Sequence, residues 1–503
     1  MVFNFMMPAR QGGQTTWWAR LLPWTPWLAA LPFGLLRRIG VFDDSLFLKI
    51  GELLTHGYLP YRDVYDNKPP GVYLFAAFAH MLGGGFILAH RIFLFAWLAT
   101  VIALAFRWLG KWVSPLWASW GAWMLAASII AAQGYSFHTE PFAAGFAILA
   151  GLMVASLPGS RSAWLGAGLC IGVAFSFKQP ALLYAAAFLP WLWWSQWKPN
   201  SRGTTITCSA LFLAGMVLPT VATMLFFWSK GAFIPYWNWV FVMALSQAAL
   251  PVNIFYFVHD LIFQPALFLC LGAFLVRALC ATGFISWIKD VFRKPHGLFF
   301  LMGLVQLAPL LRLAGTNMLH YSGLSAFAFS LSACLLWRDV WPVLKQWQGK
   351  VMAVVLSLPP LVCVTGLAWI SAKEIKDPGI AKDLKIRGEL QRVVREHGAS
   401  DQPLLVLSRF HAPRYYLLSG MNPWHPQMYF VFWELRRPTY TFDQAVSDTQ
   451  SGAPPIVLLH GSAPASDPAT MNLQAHDWVR LDRDGRWSDQ PLWLGFSRHD
   501  PAS

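Results

Sequence analysis

The sequence predicts an α-helical polytopic membrane protein, with about eleven transmembrane helices plus interfacial helices and a C-terminal extracytoplasmic α/β domain. Three observations predict it. The 503 residues are 56% hydrophobic and only 12% charged, with 28 Trp and a mean hydropathy of +0.45, values outside the range usual for soluble domains. Apolar runs approaching the ~20 residues that cross a bilayer recur between residues 18 and 371. Past residue 372 the chain becomes charged and Pro-rich.

Candidate spans fall at approximately 18–37, 88–108, 113–132, 140–157, 163–177, 181–195, 205–228, 259–279, 297–314, 321–337 and 351–371. With the amino terminus inside, the loops carrying Arg107 and Lys111, Arg161, Lys198 and Arg202, Arg277 through Lys294, and Arg338 through Lys350 all fall on the cytoplasmic side, as the positive-inside rule requires. An odd number of spans then puts the loop 41–87 and the tail on the far side. The expected location is a bacterial cytoplasmic (inner) membrane, crossed many times, with the tail periplasmic. Arg37 and Arg38 directly follow the first apolar run, which favours an uncleaved span over a removed signal peptide.

The net charge of +14 is spread in short clusters between apolar runs, so it reads as topology and excludes nucleic acid as a partner. The bilayer is the partner these clusters imply. Six cysteines at 170, 208, 270, 280, 334 and 363 show no CxxC spacing and read as small core residues.

Two domains follow. Residues 1–371 form the membrane domain, with its first extracytoplasmic loop at 41–87, and 372–503 form a soluble α/β domain of roughly 130 residues. In the tail, 380–398 has apolar residues at helical spacing and stops on Gly398, while LLVLS at 404–408 and PIVLLHG at 455–461 read as buried strands.

The stretch 41–73 is the chemically distinctive one, placing four aspartates, a glutamate, two lysines and an arginine between apolar segments. Leu46, Phe47, Ile50, Leu53 and Leu54 recur at helical spacing with Lys49, Glu52 and His56 on other faces, the pattern of a helix lying in the interface plane. It breaks at Gly57. The following LPYRDVYDNKPP reads as an extended loop because Pro60, Pro69 and Pro70 oppose regular structure. A hairpin-like return would bring Asp43 and Asp44 toward Lys68.

FDD at 42–44, GYLPYRDVYDNKPPGVY at 57–73, GVAFSFKQPALL at 172–183, HY at 320–321 and RFHAPRYYLLSG at 409–420 together resemble the polyprenyl-phosphate-dependent membrane glycosyltransferases of the GT-C superclass. The similar branch contains the protein O-mannosyltransferases and the lipid A aminoarabinose transferase. The resemblance implies a polyprenyl-phosphate-linked sugar as donor, a cell-envelope acceptor (lipid, glycan or protein), an extracytoplasmic active site and inversion at the anomeric carbon. It assigns Asp43 as the base or acceptor-orienting carboxylate, and Asp44, where the family usually carries Glu, as a further substrate contact.

The chemistry asks for the same groups, since transfer from a lipid phosphate needs a carboxylate to activate the acceptor hydroxyl and a cation for the departing phosphate. Asp43 and Lys68 suit these tasks. The structural alternative is a solvated loop in which Asp43, Asp44, Asp63 and Asp66 pair with Arg37, Arg38, Lys49 and Arg62. Arg37 and Asp66 also stand as substrate contacts, and Tyr61 and Tyr65 read either as sugar-pocket walls or as an interfacial aromatic belt.

Ionisable groups near span ends complete the candidates. His138 and Glu140 open a span beside Pro141, where Glu140 either binds substrate or is an acid favoured by the helix dipole. Lys178 precedes Pro180, which breaks the helix and is expected to lift the lysine to the outer surface, to meet the lipid phosphate or to snorkel. Arg312, His320 and Tyr321 mark another outer boundary, where Arg312 clamps phosphate or anchors the interface. No HExxH, CxxC or EF-hand spacing occurs, and a divalent cation would require the fold to assemble the acids at 43, 44 and 140, so no essential metal or other cofactor is expected. Rival readings are a transporter or flippase for lipid-linked sugars, which predicts broken helices in paired halves, and a non-catalytic scaffold acting through its tail.

Overall fold

In a computed structural model of the chain, residues 17–40, 43–83, 88–196, 202–248, 258, 264–280, 283–309, 322–344, 346–408, 412–426, 428, 442–460, 476–481 and 492–497 are described. The described chain is predominantly helical and carries one small sheet near its carboxyl end. It divides into two compact units, the first comprising Met1–Gly34, Arg91–Lys230 and Ala248–Ala372, the second Leu35–His90, Gly231–Gln247 and Lys373–Ser503.

The first unit is a helix bundle. Thr139–Ser156 is largely buried and packs on Arg161–Phe175 and Gly323–Val340. Arg161–Phe175 packs in turn on Arg202–Ser229, and two glycines one helical turn apart, Gly168 and Gly172, make the contact possible. A Cβ at either would collide with the backbone carbonyl of Phe212 or Met216, the small-residue approach by which helices associate in lipid. The opposite face of Arg202–Ser229 exposes Ile206, Leu213, Val217, Leu218, Val221 and Leu225. A soluble protein would bury these side chains; in a bilayer they face hydrocarbon.

Among the described residues, four helical stretches are long and apolar enough to cross a membrane: Ala89–Leu109, Thr139–Ser156, Arg202–Ser229 and Gln348–Glu396. The expected count of about eleven is therefore not reached on length and composition. The reason is geometric. Helices such as Pro115–Ala131, Arg161–Phe175 and Pro265–Leu279 occupy expected spans, but at 1.5 Å per residue a 15-residue helix covers about 23 Å of a ~30 Å hydrocarbon layer.

In the second unit, Asp43–Thr55 packs between Gly71–Leu82 and Ala412–Ser419. Gly51 lies against the backbone of Ala76 and Ala77, leaving no room for a Cβ. Almost every side chain from Asp44 to Ile50 is buried, which corrects the expectation of a helix lying in the interface with one polar face exposed. Of its polar face, Lys49 is buried, Glu52 is partly exposed and His56 is exposed. Gly379–Glu396 fills the expected tail helix and ends at Gly398, whose φ of +64° is the left-handed turn that favours glycine.

The sheet has strands β1 (Leu404–Leu407), β2 (Ile456–His460), β3 (His476–Arg480) and β4 (Leu492–Ser497) in the order β1-β2-β4-β3. β1 and β2 are parallel with Leu404 opposite Ile456, and β4 runs antiparallel to β2 and β3. The two parallel strands are buried along their whole length and read as continuous apolar runs for that reason. Leu405, Leu407, Ala445, Val457 and Leu459 form a core on one side of the sheet.

Candidate active site

Residues 57–70 form a hook after the helix Asp43–Thr55. Gly57, at φ +88°, ends the helix where the sequence predicts the break. Asp63 then closes the first turn, accepting the Leu59 N–H at 2.7 Å and pairing with Arg62 at 2.7 Å. The Arg62 guanidinium holds the Asp63 carboxyl below the usual carboxylate range. Asp63 thus shapes the loop.

Tyr61 sits at φ +72°, a left-handed conformation that costs a non-glycine residue of order 1–3 kcal/mol. Four contacts hold it there. Its N–H donates to Val64 O at 2.7 Å and its hydroxyl to Lys68 O at 2.7 Å. Its ring meets Tyr73 and Tyr236 edge-on at centroid distances of 6.3 and 5.5 Å. Tyr61 is therefore neither an interfacial belt residue nor an exposed pocket wall but the buried pin of the hook.

The pinned hook turns Asp66, Asn67 and Lys68 inward. Asp66 is buried and accepts the Tyr73 hydroxyl at 2.5 Å and the Asn67 N–H at 2.7 Å. Lys68, 9% exposed, donates from Nζ to Asn67 Oδ1 at 2.9 Å. Burial pushes the Asp66 carboxyl above its ordinary value; the Lys68 cation and the hydrogen bonds from Tyr73 and Asn67 oppose this, and the Asp43 carboxylate adds to the upward push. Asp43 and Lys68 thus each lie within electrostatic reach of Asp66.

Asp43 and Asp44 occupy the first turn of Asp43–Thr55, where the helix dipole favours acids. Asp44 is committed, pairing with Arg37 Nη2 at 2.9 Å and accepting the Gly40 N–H at 3.4 Å. Asp43 is half-buried. The segment leading into this turn is tied to the tail, because fully buried Asp383 accepts the Ile39 N–H at 2.7 Å and forms an ion pair with buried Arg414. Gly379 also packs against the backbone of Arg37 and Arg38, with no space for a side chain.

Lys49 departs from the predicted polar face. It is 0% exposed, pairs with Glu52 at 2.7 Å and has its ammonium pushed below the usual lysine value by burial. Tyr65 donates its N–H to Pro426 O at 3.0 Å, stacks on Trp239 at 5.2 Å and meets His425 edge-on at 6.3 Å. It joins all three sequence segments of the second unit. Beside the hook a cavity of about 450 Å³ is lined by His56, Gly57, Tyr58, Arg62, Asp63, Pro423 and Pro426.

In the first unit, His138 directly precedes Thr139–Ser156, without a capping hydrogen bond from its side chain, and Glu140 lies in the first turn. Glu140 is buried, accepts the Thr139 hydroxyl at 3.0 Å and pairs with Lys178 Nζ at 2.5 Å. Lys178 is 4% exposed, so it is not lifted to the outer surface. The break at Pro180 turns the chain into the short 3₁₀ helix Gln179–Tyr184, and Lys178 points inward because Glu140 offers a counter-charge there. Lys178→Ala is expected to cost about 3–5 kcal/mol by stranding a buried carboxylate, with Lys178→Met/Glu140→Gln recovering much of it. Thermal unfolding in detergent measures both, and an unchanged midpoint in Lys178→Ala overturns the pairing.

Arg312, His320 and Tyr321 lie outside the described residues, as do Phe42 of the FDD motif and residues 409–411. Sequence reasoning missed Arg91, which is 2% exposed in the first turns of Ala89–Leu109. A lone arginine at the start of an apolar run was its available signal. Among the described residues no group of three or more His, Cys, Asp or Glu lies together as a metal site.

The fold of this chain is similar to that of several solved structures. Individual solved structures carry the comparison. ArnT from Cupriavidus metallidurans bound to undecaprenyl phosphate aligns over 95% of this chain and 98% of its own, with a TM-score of 0.63 and 14% identity. The oligosaccharyltransferase AglB from Archaeoglobus fulgidus, in complex with an inhibitory peptide and a dolichol-phosphate, aligns over 88% of this chain and 69% of its own (TM-score 0.54, 10% identity). The arabinofuranosyltransferase AftD from Mycobacteria aligns over 97% of this chain but 40% of its own (TM-score 0.54, 13% identity). No protein-family model and no curated protein sequence matches the chain.

Proposed function

We propose that this protein is an inverting membrane glycosyltransferase that moves a sugar from a polyprenyl phosphate to an acceptor on the extracytoplasmic side. The observation that carries it is the buried Asp66 and Lys68 of the hook, with Asp43 acting electrostatically on Asp66, in a fold similar to those of proteins solved with undecaprenyl phosphate and dolichol-phosphate. In the reaction, Asp43 takes the acceptor hydroxyl proton as the acceptor oxygen bonds to the anomeric carbon. The bond from that carbon to the phosphate oxygen breaks, and the polyprenyl phosphate leaves as an anion beside Lys68.

Asp66, buried against Tyr73, supplies a nearby counter-charge to Lys68. Asp44 and Arg37 hold the helix start that presents Asp43, so their part is positioning.

The test is to incubate the purified protein with polyprenyl-phosphate sugars and read the anomeric configuration of the product by NMR. Inversion is expected, and retention overturns the single-displacement mechanism. The same assay after exhaustive chelation is expected to keep full activity, since the cation is Lys68; activity lost on chelation and restored by magnesium or manganese overturns the metal-free reading.

A further inference from the structure

The helices Ala89–Leu109, Thr139–Ser156 and Arg161–Phe175 of the first unit line a second, open cleft of about 620 Å³, within the range of sites that hold small ligands. We propose that it binds one anionic phospholipid, with an acyl chain in the cleft and the headgroup phosphate on Arg107 and Lys111. The inference rests on the protein's place in a membrane and is independent of the transfer chemistry.

Its lining is sorted along the helix axes as a lipid is sorted from head to tail. The polar lining residues Arg107, Lys111, Ser156 and Ser162 all lie at helix ends: Ala89–Leu109 and Thr139–Ser156 terminate there, and Arg161–Phe175 begins there. Leu149 and Cys170, also in the lining, lie about 10–13 Å deeper at 1.5 Å per residue. The walls between are apolar, and no carboxylate lines the cleft. Met153 lays its terminal methyl over Gly166, in the space a side chain there would take.

Charge and depth together select the occupant. An apolar slot alone would take any acyl chain, but two basic side chains at the level where the slot meets the helix ends favour a headgroup with net negative charge. The amino-terminal end of Arg161–Phe175, capped by Ser160, adds the positive end of a helix dipole at the same level. Glu140 stands at the other end of Thr139–Ser156, about 24 Å away along the axis, so the cleft is separate from the Glu140–Lys178 pair. A bulk phospholipid, rather than the sugar donor, fits a slot so placed.

Native mass spectrometry of the full-length protein in detergent, delipidated and then titrated with single lipids, tests the assignment. Dioleoyl phosphatidylglycerol is expected to be retained at one site about tenfold or more tightly than dioleoyl phosphatidylcholine, and R107Q/K111Q to abolish that preference. Met153→Trp, which fills the cleft, is expected to reduce retention of both lipids. Equal retention of the two lipids by the unmodified protein, which needs no variant to fold, overturns the proposal. So does unchanged retention in R107Q/K111Q or Met153→Trp, or displacement of the phosphatidylglycerol by undecaprenyl phosphate.

Discussion

Asp43→Asn is expected to leave the protein folded and to lower sugar transfer by about 10²–10⁴-fold, the contribution of a well-placed general base. Asparagine keeps the shape of the side chain and its place in the first helical turn but cannot take the acceptor proton. Lys68→Ala is expected to lose about 10²–10³-fold by withdrawing the cation from the leaving phosphate. Asp63→Asn serves as the contrast. Its carboxylate pairs with a half-exposed Arg62, so its loss is expected to cost no more than ~1 kcal/mol of stability and to leave transfer nearly unchanged. Steady-state rates with a polyprenyl-phosphate sugar measure all three variants; equal transfer by wild type, Asp43→Asn and Lys68→Ala removes these residues from the mechanism.

Asp383→Ala is expected to destabilise the protein by about 3–5 kcal/mol, because it leaves the Arg414 guanidinium buried without its carboxylate. The Ile39 N–H would also lose its acceptor, a further cost of about 1–3 kcal/mol. Asp383→Asn retains an oxygen for Ile39 while surrendering the ion pair, so it is expected to fall between wild type and Asp383→Ala. Replacing both charged partners, as in Asp383→Asn/Arg414→Met, is expected to recover part of the loss, since a buried pair is costly mainly when broken from one side. Thermal unfolding of the set in one detergent orders them, and a midpoint for Asp383→Ala equal to wild type would show that the tie carries no load.

What could be read from the sequence follows from range. The break at Gly57, the hook through its three prolines, the stop at Gly398 and the buried strands β1 and β2 are local, set by backbone preference and short apolar runs. Lys49 was misread because helical spacing puts it on a polar face, and only distant residues such as Ala412–Ser419 bury that helix. Lys178 was placed outside because Pro180 does break the helix, but its pairing with Glu140 depends on how two separate helices meet. β3 mixes polar and apolar residues without clean alternation, and β4 is a short apolar run interrupted by Gly495, a residue that weakens a strand interior. Asp43 and Lys68 could be singled out from chemistry and resemblance, whereas Tyr61, Tyr73 and Asp383, which hold the surrounding backbone, have no local signature.

The second unit is sewn from segments at the beginning, middle and end of the chain, and Ile39 waits for a partner 344 residues downstream. A ribosome adding about 5–20 residues per second needs roughly 17–70 s to cover that interval. Throughout it, the turn bearing Asp43 is already made while the carboxylate that fastens Ile39 does not yet exist. Assembly of this unit is therefore among the last events of biosynthesis, and a nascent chain already threaded into the bilayer would hold its acids in an unset arrangement until the tail arrives.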